Sequence, residues 1–159
     1  MSNENIANTF KEKIYECNKH IEKINISKKH LLPFIPLNTQ TYLKMDEVSL
    51  SFIDSLIFRF SKLQDTMGEK IFPSILILSK EDVKKKTFLD ILNRLEELEI
   101  INKNEWLSLR EARNEIAHEY SFNTTEVVDS INLIYAKSEN LINIYQTVYN
   151  FCKTRFDIA

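Results

Sequence analysis

Residues 6–24, IANTFKEKIYECNKHIEKI, carry the pattern from which the fold prediction starts. The apolar residues of this stretch recur at steps of three and four, which places them on one stripe of an α-helix. The stripe consists of Ile6, Phe10, Ile14, Cys17, Ile21 and Ile24. We therefore predict a first helix over residues 3–31 that buries one of its faces.

Proline and capping residues divide the first half of the chain. Pro33 and Pro36 predict a loop over residues 32–41, because proline blocks helix propagation and favours extended geometry in the residue before it. Asp46 is a plausible N-cap for a long second helix, and the apolar stripe that follows predicts that this helix continues as far as Pro73.

Three further helices are predicted in the second half of the chain. A capping box that begins at Ser79 predicts the start of the third helix. Asn104 is predicted to cap a fourth helix that runs toward Tyr120. Asn123 is predicted to cap a final helix of about 30 residues, because a long apolar stripe follows it.

The composition also favours helices. The chain has one glycine and three prolines among 159 residues, whereas an all-β protein needs many glycine- and proline-containing turns. We predict an all-α fold, an antiparallel up-and-down bundle of four to five helices that forms a single domain over residues 1–159. The only glycine is Gly68, so a glycine-rich phosphate-binding loop is excluded.

Charge and cysteine content limit the possible partners and the cellular location. The formal net charge is −2, so any contact with RNA must come from a local cluster of cations. Cys17 and Cys152 have no metal-ligand spacing and are expected to be reduced thiols in the core. The polar N-terminal residues do not resemble a signal peptide, and no apolar run is long enough for a bilayer. We therefore expect a cytoplasmic protein with no membrane partner.

One segment of the predicted fourth helix concentrates chemically active side chains. In the sequence RNEIAHEY, residues 113–120, Asn114 and His118 are four positions apart, and Arg113 and Tyr120 are seven positions apart. Each pair therefore lies on one side of the helix, and Arg110 falls between the two pairs. These polar groups form one continuous arc beside the apolar face.

Such an arc can support cleavage of an RNA phosphodiester without a metal or cofactor. An imidazole with an ordinary pKa near 6.5, here that of His118, can exchange the required protons at neutral pH. Arg113 can stabilise the charge that develops on phosphorus, and Arg110 can contact a phosphate. Asn114 can orient the imidazole, and Tyr120 can donate a hydrogen bond or stack on a base. Because one helix supplies one histidine, a homodimer would supply both an acid and a base.

The pattern Arg113-Asn114-x-x-x-His118-x-Tyr120 resembles the motif of the HEPN superfamily (higher eukaryotes and prokaryotes nucleotide-binding), and most closely that of the HepT-like ribonuclease toxins. The resemblance implies a helical bundle and a metal-independent endoribonuclease that works as a homodimer. It makes Arg113 and His118 the catalytic pair, with Asn114 in a supporting position. It also implies a nucleotidyltransferase antitoxin of the MntA type, which silences the toxin by adding AMP to Tyr120.

Two other functions remain open from the sequence. The chain could be a non-catalytic helical subunit that binds a minimal nucleotidyltransferase, which its near-neutral charge favours. A weaker possibility is a sensor module whose dimer cleft binds a nucleotide, although the sequence offers no separate ligand site.

Overall fold

The computed structural model of the protein describes residues 3–115 and 122–157, with side chains from residue 5 onward. Within these ranges the regular structure is helical and contains no strand, so the predicted all-α fold class is confirmed, although the chain forms more helices than the four to five predicted. The helices are α1 Asn3–Leu31, α2 Thr39–Lys44, α3 Glu47–Thr66, α4 Phe72–Leu78, α5 Phe88–Glu97, α6 Lys103–Glu115 and α7 Thr124–Phe156.

The hydrophobic core forms around α3, which packs along α1 and also contacts α6 and α7. The predicted stripe of α1 faces this core, and Phe10, Cys17 and Ile24 are each at most 1% exposed. Tyr145 of α7 is fully buried, and its hydroxyl donates a hydrogen bond to Asn18 Oδ1 over 2.8 Å. The two longest helices are therefore joined by both apolar packing and a buried polar contact.

Both predicted thiols lie in the core. Cys17 and Cys152 are free and fully buried, and burial raises the pKa of each thiol to about 12. Both groups therefore stay protonated and unreactive at neutral pH. In the described ranges, no helix combines the length and apolar composition that crossing a bilayer requires.

Two predicted helix starts are confirmed. The Asp46 side chain accepts a hydrogen bond from the Ser49 N–H over 2.7 Å and caps α3. The Asn123 side chain caps α7 in the same way, by accepting from the Glu126 N–H. In both places the cap directly precedes a long apolar stripe, so two independent signals agree.

The predicted stop at Pro73 is wrong. The helix continues from α3 through a π-helical turn, Met67–Ile71, into α4, and Pro73 lies in the first turn of α4. In this turn the Phe72 N–H donates to the Met67 carbonyl, five residues earlier. The wider turn accommodates the proline ring. Because Pro73 lies in the first turn of α4, its missing N–H costs little, since N–H groups of a first turn have few acceptors within their helix.

Two other predicted caps are also wrong. The third helix begins after Thr87, which forms a reciprocal capping box with Asp90, whereas Ser79 lies at the C-terminus of α4. The fourth helix begins at Lys103, because the Asn102 side chain, not that of Asn104, accepts from the Glu105 N–H over 2.9 Å. In each case a polar residue later or earlier in the chain than the predicted cap accepts a hydrogen bond from an N–H group of the first turn.

The predicted loop over residues 32–41 is only partly correct. The segment contains a short 3₁₀ turn, Leu32–Phe34, and the start of α2, which Asn38 caps by accepting from the Thr41 N–H. The Asn132 side chain of α7 holds this segment through hydrogen bonds of 2.8 Å to the Leu37 N–H and to the Leu37 carbonyl. The connection is therefore anchored on the bundle.

Candidate functional site

The structure places three of the predicted site residues together at the C-terminal end of α6. Arg113 and Asn114 lie in its last turn, and Arg110 lies one turn earlier. All three line the same cleft. His118 and Tyr120 fall outside the described residues, so the predicted pairing of Arg113 with His118 stays a prediction.

Arg113 is tied to the central helix by an ion pair. Its Nη2 donates to Asp65 Oδ2 over 2.8 Å, and the two side chains are 36% and 34% exposed. At this exposure the pair adds only about 0–1 kcal/mol to stability. Its main consequence is geometric, because Asp65 of α3 fixes where the guanidinium of α6 lies.

The cleft next to this ion pair lies between the end of α3, the π-helical turn, α5 and α6. It has a volume of about 360 Å³. The described residues that line it are Gln64, Asp65, Gly68, Glu69, Phe88, Trp106, Arg110, Arg113 and Asn114. Its wall therefore combines two cations, two carboxylates, two amides and two aromatic rings, which is the kind of lining that binds a small polar ligand.

Gly68 in the π-helical turn allows the cleft's aromatic wall to pack closely. A Cβ atom built on Gly68 would lie 3.2 Å from Trp106 Cζ2 and 3.4 Å from Phe88 Cε1, so a larger side chain would displace one of the rings. π-Helical turns are rare and are found frequently at functional sites. The turn and its glycine together shape the cleft.

Unpaired buried polar atoms are concentrated at this cleft. Across the described part of the chain, the buried side-chain nitrogens and oxygens without a hydrogen-bond partner are Gln64 Nε2 and Oε1, Trp106 Nε1 and Arg113 Nε. All three residues line the cleft. Leaving such a group unpaired costs about 1–3 kcal/mol, so a group of them in one place indicates a site that is completed by another molecule.

Arg110 contributes a planar cation at the cleft wall. Its guanidinium carbon lies 4.8 Å from the centroid of the Phe88 ring, and this contact joins α6 to α5. A guanidinium held over an aromatic ring still has N–H groups that can reach a phosphate or a carboxylate. This position agrees with the predicted phosphate contact, which itself remains a prediction.

The sequence prediction missed the residues that α3 and the start of α6 contribute. Gln64 lies four positions after Phe60 within the buried stripe of α3 and is only 3% exposed. An amide inside an apolar stripe is a sequence signal for a site residue. The chain's only glycine, in the middle of a predicted helix, is another. Asp65 carried no such signal, because only folding brings it to Arg113.

In the described ranges, no group of three or more histidine, cysteine, aspartate or glutamate side chains is placed to hold a metal ion. The cleft instead offers hydrogen-bonding amides, an indole N–H and guanidinium groups. No protein-family model, no curated protein and no solved structure matches this chain, so its function has to be inferred from these groups.

Proposed function

We propose that this protein is a metal-independent endoribonuclease with a HEPN-like, up-and-down helical bundle. It acts in the cytoplasm as the toxin of a toxin–antitoxin pair. The catalytic residues are Arg113 and His118, supported by Asn114, and two copies of the chain form the active cleft.

The observation that carries this proposal is the cleft beside Arg113. It joins two arginines with unpaired polar groups in a volume of about 360 Å³. That volume lies at the lower end of the range for ligand pockets, about 300–1,000 Å³, which suits one nucleotide of an RNA strand. The segment with His118 follows α6 directly, so the imidazole belongs to the same region of the chain.

The proposed reaction is an intramolecular transesterification. The 2′-oxygen of RNA attacks the adjacent phosphorus while the bond from phosphorus to the 5′-oxygen breaks. His118 accepts the 2′-hydroxyl proton, and His118 of the partner subunit protonates the leaving 5′-oxygen. Arg113, held by Asp65, stabilises the charge on the phosphoryl oxygens. The products are a 2′,3′-cyclic phosphate and a 5′-hydroxyl.

The proposed control is modification of Tyr120 by a nucleotidyltransferase antitoxin. Transfer of AMP to the phenol would add a negative phosphate and a bulky nucleoside two residues from His118. Both changes oppose the binding of an RNA phosphate at the same place. The antitoxin partner and the homodimer belong to the proposal together with the activity.

The test is cleavage of labelled single-stranded RNA by the purified protein in the presence of EDTA. We expect cyclic-phosphate products, and a loss of about a hundredfold or more in rate for Arg113→Ala and for His118→Ala. Matched controls are Arg155→Ala and His30→Ala, two exposed positions away from the cleft. Cleavage that persists in both site variants, or that EDTA abolishes, would contradict the proposal.

A second candidate function is a non-catalytic subunit that binds a nucleotidyltransferase. The carboxylates of Asp65 and Glu69 favour it, because they line the same cleft and offset the charge of the arginines. Expression of this chain alone separates the two functions. Growth arrest that requires His118 supports the ribonuclease, whereas normal growth together with stable binding to a nucleotidyltransferase supports the subunit.

A further inference from the structure

The unpaired groups of the cleft form a specific set of donors and acceptors. Gln64 Oε1 is an acceptor, and Gln64 Nε2, Trp106 Nε1 and Arg113 Nε are donors; each is buried and lacks a partner among the described residues. Gln64 is 3% exposed and Trp106 is 1% exposed. A ligand that completes this set must offer several acceptors and at least one donor.

This requirement excludes the simplest ligands. A phosphodiester group offers acceptors only and would leave Gln64 Oε1 without a donor. A metal cation would bind that oxygen and leave the N–H groups of Gln64 and Trp106 unpaired. An apolar ligand would satisfy none of them. A nitrogen heterocycle with an amino group offers both kinds of group in one plane.

Adenine fits the set better than the other bases. Its single amino group is a donor, and its three ring nitrogens N1, N3 and N7 are acceptors. These numbers match the one unpaired acceptor and the three unpaired donors of the cleft. A glutamine amide recognises adenine by donating to a ring nitrogen and accepting from the amino group. Guanine brings a second donor group, and the pyrimidines bring fewer acceptor atoms and less surface for stacking.

The cleft also offers a surface on which a base can stack. Arg110 already lies over Phe88, with 4.8 Å between the guanidinium carbon and the ring centroid. A base can extend this stack on the open face of the guanidinium, as bases do in single-stranded RNA recognition. Arg113 is at the same cleft, so the phosphate of the bound nucleotide lies within its reach.

We infer that the cleft is a base-binding pocket that selects an unpaired adenine next to the cleaved phosphate, with Gln64 as the specificity-determining residue. This inference rests on the proposed ribonuclease function and adds the sequence preference to it. Cleavage then occurs beside adenines in single-stranded RNA, and substitution of Gln64 lowers the preference for adenine sites over other sites.

The test uses the fluorescence of Trp106, which is the chain's only tryptophan and therefore reports on this cleft. The probes are 5′-AMP, GMP, CMP and UMP, none of which contains a phosphodiester to cleave. We expect a saturable change with AMP at concentrations about tenfold lower than with the other three. No saturable change with any nucleotide, or equal affinity for all four, would overturn the inference.

Gln64→Met is the main variant, because methionine keeps the length of the side chain and removes both hydrogen-bonding atoms. We expect it to reduce AMP affinity about tenfold and to leave GMP affinity nearly unchanged. The matched control is Gln146→Met, an exposed position on α7. Arg110→Ala keeps Gln64 intact and should weaken all four nucleotides. Unchanged AMP selectivity in a folded Gln64→Met protein would overturn the role of Gln64.

Mapping of the cut sites in a mixed-sequence RNA separates this inference from the proposed function. Cleavage without adenine preference, unaltered in Gln64→Met, refutes the base pocket and leaves the ribonuclease intact. Selective AMP binding in a protein that does not cleave RNA supports the pocket and refutes the ribonuclease.

Discussion

The buried carboxamide of Gln64 imposes opposite demands on stability and on binding. The side chain is 3% exposed, and neither of its polar atoms has a partner among the described residues. In the unfolded chain water satisfies both atoms, so folding loses hydrogen bonds at this residue. A ligand would restore them. The residue is therefore expected to weaken the free protein and to strengthen the complex.

This opposition predicts that Gln64→Met stabilises the unliganded protein. Removing the unpaired amide should raise the free energy of unfolding by about 1–3 kcal/mol. Urea denaturation of both proteins at pH 7.5 and 25 °C measures the difference. Gln146→Met, at an exposed position, should stay within about 0.5 kcal/mol of the original. A clear loss of stability in Gln64→Met would mean that the amide is satisfied in the folded protein.

At the residue scale, the sequence could reveal only those site residues that share one helix. Arg110, Arg113 and Asn114 lie close together on α6, so helical spacing predicted their proximity. Asp65 lies 48 positions before Arg113 and meets it only through the packing of α3 on α6. Helical periodicity contains no information about such a contact, because it describes one element at a time.

At the element scale, the side chain of Asn102 caps the start of α6. Asn102 Oδ1 accepts from the Glu105 N–H over 2.9 Å, and the Asn102 carbonyl accepts from the Trp106 N–H over 3.1 Å. This residue therefore occupies the N-cap position, and Asn104 lies in the first turn with its side chain exposed. The position matters for function because α6 carries the arginines of the cleft.

The cap predicts unequal effects of two similar substitutions. Asn102→Ala should lower the free energy of unfolding by about 1 kcal/mol, because a first-turn N–H loses its acceptor. Asn104→Ala should change it by less than about 0.5 kcal/mol, since alanine suits a helical position. Thermal and urea denaturation of the two variants side by side provide the measurement. Equal losses, or a larger loss for Asn104→Ala, would contradict the observed helix start.

Long apolar stripes predicted the existence of helices reliably, whereas local capping and proline signals predicted the helix ends less well. The stripes placed α1 and α7 correctly, because burying one face of about 30 residues outweighs any local preference. Caps involve about 1 kcal/mol each, so two nearby asparagines are hard to rank from the sequence. Helical periodicity does not predict the widened turn that lets the helix continue through Pro73.

At the scale of the whole molecule, His20 and Arg59 join α1 to α3. Arg59 Nη1 lies 3.1 Å from His20 Nδ1, and because the guanidinium can only donate, the histidine nitrogen accepts. Burial, followed by the charges of Arg59 and Lys62, lowers the pKa of His20 below its ordinary value of 6.5, against the opposing effect of Glu16. The folded bundle therefore favours the neutral form of this histidine.

This arrangement predicts that acid weakens the bundle from about pH 6.5 downward. Between the lowered folded pKa and 6.5 the unfolded chain binds the proton and the folded chain does not, so stability falls as pH falls. His20→Asn, whose side-chain oxygen can accept from Arg59, should flatten the unfolding free energy between pH 7.5 and pH 5.5. Urea denaturation at a series of pH values measures this slope.

The control for this slope is His30→Asn, at an exposed position in the last turn of α1. The pKa values of Asp46, Glu81 and Asp90 are lowered, so the stabilising effects of these three carboxylates are lost only at more acidic pH. A slope that His20→Asn leaves unchanged would show that His20 does not set the response of the fold to acid.

The π-helical turn of residues 67–71 also determines which changes of chain length the protein can tolerate. Such a turn holds one residue more than an α-helical turn, and each residue rotates the following helix by about 100°. Replacing it by an α-helical turn that is one residue shorter leaves the rotation of the following helix nearly unchanged, so deletion of the exposed Glu69 should keep Ile75 of α4 in the core. An additional inserted residue has no such compensation and would turn Ile75 toward solvent. The turn should therefore tolerate the loss of one residue better than the gain of one.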